Sequence, residues 1–303
     1  MTRRRRNEAP PAASPPFDAA FRALLPALLG QTAQFRGARD QAQRARRAVL
    51  SQSGTFVGHR PYARGDDLRR LDWAAYARTG ALFTKQLEEE ERRTAAVLLD
   101  LSASLLVGAV PRRLAMLRLA AVVGGLALAH LDGLVVVAPG AGPLALANFT
   151  GIGQLAALLQ HLEALPVATA GPEQAVELLL RRGLPGRVHW LGDFAVPAAH
   201  ELPLAALRRR GVRVTAWLPT LPADREPPRG GFLRFVDPET QREVQVPVDG
   251  PFATALAHEL ELLARQQDQL FAQAGAPLVR WPVTIATSEQ AAAWTPVLAE
   301  LAR

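Results

Sequence analysis

The sequence predicts an α/β fold with a mostly parallel sheet covered on both faces by helices. Three observations carry this. Short apolar runs alternate with longer helical segments from about residue 95 onward, the pattern of strands joined by crossover helices. The run 95–99 is short and holds no turn residue, which suits a strand buried on both faces. That run ends in Asp100, Ser102 and Ser104. Alternate side chains in extended backbone project to one side, so a carboxylate and two hydroxyls converge at the carboxyl end of a strand. Open α/β sheets bind their ligands there.

Taken in order, residues 1–16 are rich in Arg, Pro and Ala without periodicity, which reads as a disordered tail. Phe21, Leu24, Leu25, Leu28 and Leu29 recur at helical spacing, so 17–34 is a helix. Residues 35–53 are basic and small, a helix or a mobile surface segment. Pro61 and Gly65 mark a turn. Asp66 or Asp67 then caps a short helix running towards Ala77, with Gly80 near its end. A loosely alternating strand follows at 82–87, and the acidic run 88–91 links it to the central strand.

Beyond Ser104, residues 112–130 read as a helix and 134–138 as a strand. The short Gly140-Ala-Gly142 connector makes the strand at 143–148 antiparallel to it. Helices follow at 152–165 and 172–182, the second with Pro172 in its first turn. Residues 188–191 form a strand ending in Gly192-Asp193, 197–210 a helix closed by Gly211, and 212–218 a strand. After the proline-rich loop 219–228, the runs 232–236 and 243–248 alternate across Asp237-Pro-Glu-Thr-Gln as a hairpin. A long amphipathic helix at 252–274, a strand at 277–283 and a helix at 289–302 complete the pattern.

The 303 residues are 49% hydrophobic, enough for a substantial core. The absence of cysteine excludes disulfides, thiolate metal sites and cysteine nucleophiles. Net charge is +7, carried almost wholly by arginine, with runs at 3–6 and 36–47. Such runs suit nucleic acid or anionic lipid, but they lack the interleaved aromatics that stack on bases. The apolar stretch 119–131 is short for a membrane span and contains His130. Arg3–Arg6 precede a Pro/Ala tract rather than an apolar core, so no signal peptide is read and a cytoplasmic location is expected.

The polar residues at 100–104 are hard oxygen ligands, suited to Mg²⁺ or Mn²⁺. Used locally, the two serines would instead cap the next helix while Asp100 accepts backbone N–H bonds. Thr169, between two helices, and Asp193, at a strand end, complete a candidate metal set of Asp100, Ser102, Ser104, Thr169 and Asp193 if the Asp193 strand lies beside the central one. Gly151-Ile-Gly153-Gln-Leu-Ala156 mimics a dinucleotide loop. However, it follows an antiparallel edge strand, and its acidic candidate, Glu173, falls at a helix start. No histidine pair has zinc spacing, and no G-x-S-x-G elbow occurs. Trp190 and Trp217 read as core. The charged stretch 58–80 offers Arg60, Tyr62, Asp66, Asp67, Asp72, Trp73 and Arg78 as an interaction surface, with Asp72 paired to an arginine.

The string R-P-Y-A-R-G-D-D-L-R-R-L-D-W…A-R-T-G…K-Q-L-E-E-E, followed by L-L-D-L-S-A-S, resembles the bacterial family called domain of unknown function 58. Its members are often encoded beside MoxR-type AAA+ ATPases. The resemblance implies a von Willebrand factor A-like, doubly wound domain at 93–303. It also implies a family-specific N-terminal extension at 17–92 and a β-hairpin insertion at about 224–250. It implies a metal-ion-dependent adhesion site whose first motif maps to Asp100, Ser102 and Ser104, with Thr169 and Asp193 following. Leu105 stands where the family usually has Met, a tolerated apolar exchange. The resulting expectation is a non-enzymatic interaction module whose Mg²⁺ takes a partner's Asp or Glu. A MoxR-type ATPase is the implied partner, in a chaperone-like or complex-assembly role. The alternatives are a metal-dependent hydrolase using the same site and an arginine-rich nucleic-acid-binding protein.

Overall fold

The computed structural model describes residues 15–30, 55–63, 66, 68, 71–88, 94–102, 105, 112–130, 133–138, 146–166, 171–183, 185–221, 231–237, 242–283 and 291–301. The expected tail 1–16 and the segment 35–53 lie almost wholly outside them. The chain forms two compact units, residues 33–92 and, around that insertion, residues 1–32 with 93–303.

The smaller unit pairs β1 (Thr55–Pro61) antiparallel with β2 (Phe83–Glu88), with α2 (Trp73–Thr79) between them in sequence. Strand β1 falls where the sequence suggested no strand, because Gly58 and Pro61 hide its pattern. The register shifts between Phe56 and Gly58, as at a bulge, so the strand accommodates its glycine. The cap of α2 also differs from expectation. Asp72, not Asp66 or Asp67, accepts from the Ala75 N–H at 2.9 Å. Gly80 ends the helix in the left-handed region at φ 70°, where glycine carries no Cβ penalty.

The larger unit holds a six-stranded sheet. Its strands are β3 (Thr94–Leu99), β4 (Gly133–Val137), β5 (Leu146–Phe149), β6 (Arg187–Leu191), β7 (Arg213–Thr220) and β10 (Leu278–Pro282). The spatial order is β10-β7-β6-β3-β4-β5, parallel except for the edge strand β5. Counted along the chain this is 3-2-1-4-5-6, the order of a doubly wound sheet. The chain reverses direction across the sheet between β3 and β6, the switch point at whose carboxyl ends doubly wound sheets bind their ligands.

β3 shows why the central run has no polar face. Ala95, Val97 and Leu99 enter one core, and Ala96 and Leu98 the other. The first core contains α1 (Ala19–Gly30), α3 (Arg112–His130), α4 (Leu155–Ala164) and α8 (Thr295–Leu301). The second contains α5 (Pro172–Arg182), α6 (Ala198–Arg209) and the end of α7 (Gly250–Gln273). Trp190 and Trp217 are fully buried, one in each core. Among the described residues α3 is the one helix long and apolar enough to cross a membrane, and 78% of its apolar window is buried inside the fold. It packs so closely that a Cβ at Gly124 would sit 2.7 Å from Leu158 Cδ2.

A hairpin of β8 (Phe232–Val236) and β9 (Glu243–Pro247) precedes α7. Phe235 meets Phe252, on the first turn of α7, at 6.0 Å between ring centroids. Of the 24 residues of α7, only Gln267, Leu270 and Phe271 are buried. The helix is about 36 Å long at 1.5 Å per residue, so most of its length reaches no core.

Candidate functional site

The carboxyl edge of the sheet brings two of the expected loops together. β6 lies beside β3, with Leu99 opposite Leu191. The ladder continues one step further, where the Asp100 N–H donates to the Leu191 carbonyl at 2.8 Å. Gly192 is therefore the direct neighbour of Asp100. A Cβ there would lie 3.3 Å from Asp100 Cβ and 3.3 Å from the Phe194 ring, so glycine is what lets the loops approach this closely. Asp100, Ser102 and Asp193 are all half-buried at this edge.

Each carboxylate is fixed by a local backbone donor. The Ser102 N–H donates to Asp100 Oδ1 at 3.1 Å, and the Ala195 N–H donates to Asp193 Oδ1 at 3.1 Å. These two-residue spans are Asx turns, in which an acidic side chain bonds the backbone two residues on. Arg113, at the start of α3, donates to the carbonyls of Leu165 and Pro166. The end of α4 is thereby held beside the start of α3, at the same sheet edge. Ser104 and Thr169 lie outside the described residues. The donor set that is described consists of hard oxygens, which fits a hard divalent cation. No group of three or more His, Asp or Glu able to hold a metal occurs among the described residues, so hydroxyls and backbone oxygens would have to complete any coordination here.

Phe194 follows Asp193 with φ 50° and is fully buried. The left-handed region costs a side-chain-bearing residue about 1–2 kcal/mol, and such outliers persist only where their surroundings over-determine them. Here the ring contacts Trp190, His200 and Phe271, the last at 4.8 Å between centroids. Gln267 of α7 donates to the carbonyls of both Asp193 and Phe194, at 3.2 and 3.1 Å. Sequence reasoning missed both residues. Burial depresses the pKa of His200, keeping its ring neutral beside Phe194.

The charged stretch of the smaller unit resolves into specific pairs. Arg60 binds Asp66 at 2.6 Å, and Asp66 also accepts from the Ala63 N–H at 2.9 Å and the Thr84 hydroxyl at 3.2 Å. The Ala63 bond, followed by Arg60, lowers the pKa of Asp66. Among the described residues Asp72 pairs with His59 at 2.7 Å rather than with an arginine, and Arg64, Arg69 and Arg70 lie outside the described residues. Asp67 lies outside the described residues. The backbone N–H of half-buried Tyr62 donates to Leu82, and Arg78 is exposed in the last turn of α2. Trp73 is 63% exposed and meets Tyr76 edge-to-face at 6.3 Å.

The His59 contact, then the Ala75 bond, lower the pKa of Asp72 from 3.8 to about 2. A depressed carboxylate stabilises the fold above its unfolded pKa and loses that contribution as pH falls through its folded pKa. The share of stability due to Asp72 should therefore be complete above about pH 4 and disappear towards pH 2. Asp72→Asn keeps a good capping side chain but removes the titration. Its helical signal should lose the part of the acid transition that wild type shows between these limits. Identical acid profiles would refute the assignment.

Two solved structures are similar to the chain. One is a conserved hypothetical protein BatB from Bacteroides thetaiotaomicron, at 13% identity and a TM-score of 0.39, covering 69% of this chain and 98% of that one. The other is an aerotolerance-related membrane protein from Bacteroides fragilis NCTC 9343 with multiple mutations to serines, at 14% identity and a TM-score of 0.39, with the same coverage. No curated protein matches. A family model described as "Protein of unknown function DUF58" matches residues 58–266, more than half of the chain, and the chain belongs to that family.

Proposed function

We propose that the chain is a cytoplasmic, non-enzymatic protein-interaction module with a von Willebrand factor A-like main domain and a Mg²⁺- or Mn²⁺-dependent adhesion site. The observation that carries the reading is that the loops bearing Asp100 and Asp193 lie side by side at the reversal point of a 3-2-1-4-5-6 sheet. Asp100 and Ser102 would hold the cation, with Asp193 acting directly or through water. Ser104 and Thr169 join the set by family resemblance. The bound cation would supply a Lewis-acidic position for a partner's carboxylate. The chain's own part is to hold its carboxylates rigidly through the Ser102 and Ala195 amides. The partner we propose is a MoxR-type AAA+ ATPase, in a chaperone-like or complex-assembly role. Trp73, exposed beside Tyr76, would add contact area, since exposed aromatics are favoured at interfaces.

The test is calorimetry with Mg²⁺ and Mn²⁺, followed by capture of the ATPase with and without EDTA. Wild type should bind one ion, and Asp100→Ala none. Asp193→Asn should bind about 10–100-fold more weakly, with capture restored at high Mg²⁺. Equal ion binding by wild type and Asp100→Ala would overturn the site. Metal-dependent phosphoester hydrolysis that saturating Mg²⁺ fails to restore in Asp193→Asn would overturn the non-enzymatic reading, because an amide cannot take the proton of a general base.

A further inference from the structure

We propose that Gln267 is a positioning residue for the Asp193 carboxylate, so that the placement of α7 sets the cation affinity of the site. This rests on the metal-site reading above. Gln267 is the polar member of the three buried residues of α7. Its single amide nitrogen donates to two consecutive carbonyls, Asp193 at 3.2 Å and Phe194 at 3.1 Å. An amide nitrogen has two hydrogens, so this bridge uses its whole donor capacity. The amide cannot flip without loss, because its oxygen accepts from Arg280 at 3.3 Å. Arg280 is in turn tied to Asp268 and to the Ala264 carbonyl of the same helix. One turn further along α7, Phe271 meets Phe194 edge-to-face.

Gln267 and Phe271 therefore grip the loop at its backbone and at its ring. Together they hold Phe194 in its left-handed conformation, and Asp193 precedes it directly. A slide of α7 by one residue is 1.5 Å, enough to break both amide bonds and release the turn that presents the carboxylate. The opposite end of α7 carries the β8–β9 hairpin and is not buried. A force or a partner acting on that end is therefore read out at the Asp193 loop.

Two variants separate donation from shape. Gln267→Glu keeps the size and the acceptor facing Arg280 but loses the donors. Gln267→Met keeps an apolar fit and guards against a misfolded glutamate variant. Both should bind Mn²⁺ about 10–100-fold more weakly than wild type, with faster hydrogen exchange at amides 193–195. In an Asp193→Asn background, Gln267→Met should add little further loss, because Gln267 acts through Asp193. A purely structural role would instead give additive losses. Unchanged Mn²⁺ affinity and unchanged exchange in both variants would overturn the proposal. Wild type that binds no Mn²⁺ would overturn the cation site itself, and the exchange measurement would then decide alone whether Gln267 sets the loop.

Discussion

Asp18→Ala should destabilise the larger unit by about 3 kcal/mol, the lower end of the roughly 3–5 kcal/mol cost of breaking a buried ion pair, because Arg118 is buried while the Asp18 side chain is about a third exposed. Arg118, on α3, is only 3% exposed and donates to Asp18 Oδ2 at 2.8 Å. It also donates to the Pro16 carbonyl at 2.8 Å and lies over the Phe21 ring at 5.1 Å. The other oxygen of Asp18 accepts from the Phe21 N–H at 2.8 Å and so caps α1, a bond worth about 1 kcal/mol. A loss at the lower end of the range corresponds to roughly 10 °C in melting temperature for a unit of this size. The double variant Asp18→Ser with Arg118→Met should recover most of it, since serine restores the cap and methionine fills the space without a charge. A melting temperature for Asp18→Ala within a degree of wild type would show that this pair does not anchor α1.

Phe194→Ala should cost about 3–5 kcal/mol through the cavity left among Trp190, His200 and Phe271. The informative comparison is with Phe194→Gly. At an ordinary buried position glycine is worse than alanine, by roughly 0.5–1 kcal/mol. At φ 50° the order should invert, because alanine keeps a Cβ penalty that glycine lacks. Denaturant unfolding of the two variants measures this directly. Alanine more stable than glycine would mean that the loop leaves the left-handed region once the ring is gone.

The parts of the fold legible in sequence are those fixed by local periodicity. The helix at 112–130, the antiparallel strand after Gly140-Ala-Gly142 and the hairpin around 237–241 follow from spacing and turn residues, and α3, β5 and β8–β9 occupy those places. The central strand was legible because burial on both faces demands an unbroken apolar run. What stayed hidden depends on distant partners. Asp66 and Asp72 look alike as caps, and only the fold shows that Arg60 and Thr84 claim the first while His59 joins the second. Gln267 sits in a long, largely exposed helix with no motif around it, and the two carbonyls to which it donates are 73 and 74 residues away. Strand β6 was expected to end at Gly192-Asp193, and it ends at Leu191; that the buried Phe194 sits in the left-handed region was not legible. Packing there overrides backbone preference.

The rings of Phe21 and Trp294 meet at 6.1 Å, and Trp294 lies tilted against Trp281 at 4.7 Å between centroids. On the ribosome this contact imposes an order of events. α1 emerges early but has no tryptophan wall to lie against until residue 294 has been made. Residues 33–92 form a continuous unit and can close first. The apolar faces of α1 and α3 must meanwhile wait on a nascent chain, and contacts so distant in sequence slow folding and prolong exposure to aggregation. Chaperone dependence during synthesis should therefore belong to the larger unit and end with the arrival of Trp294.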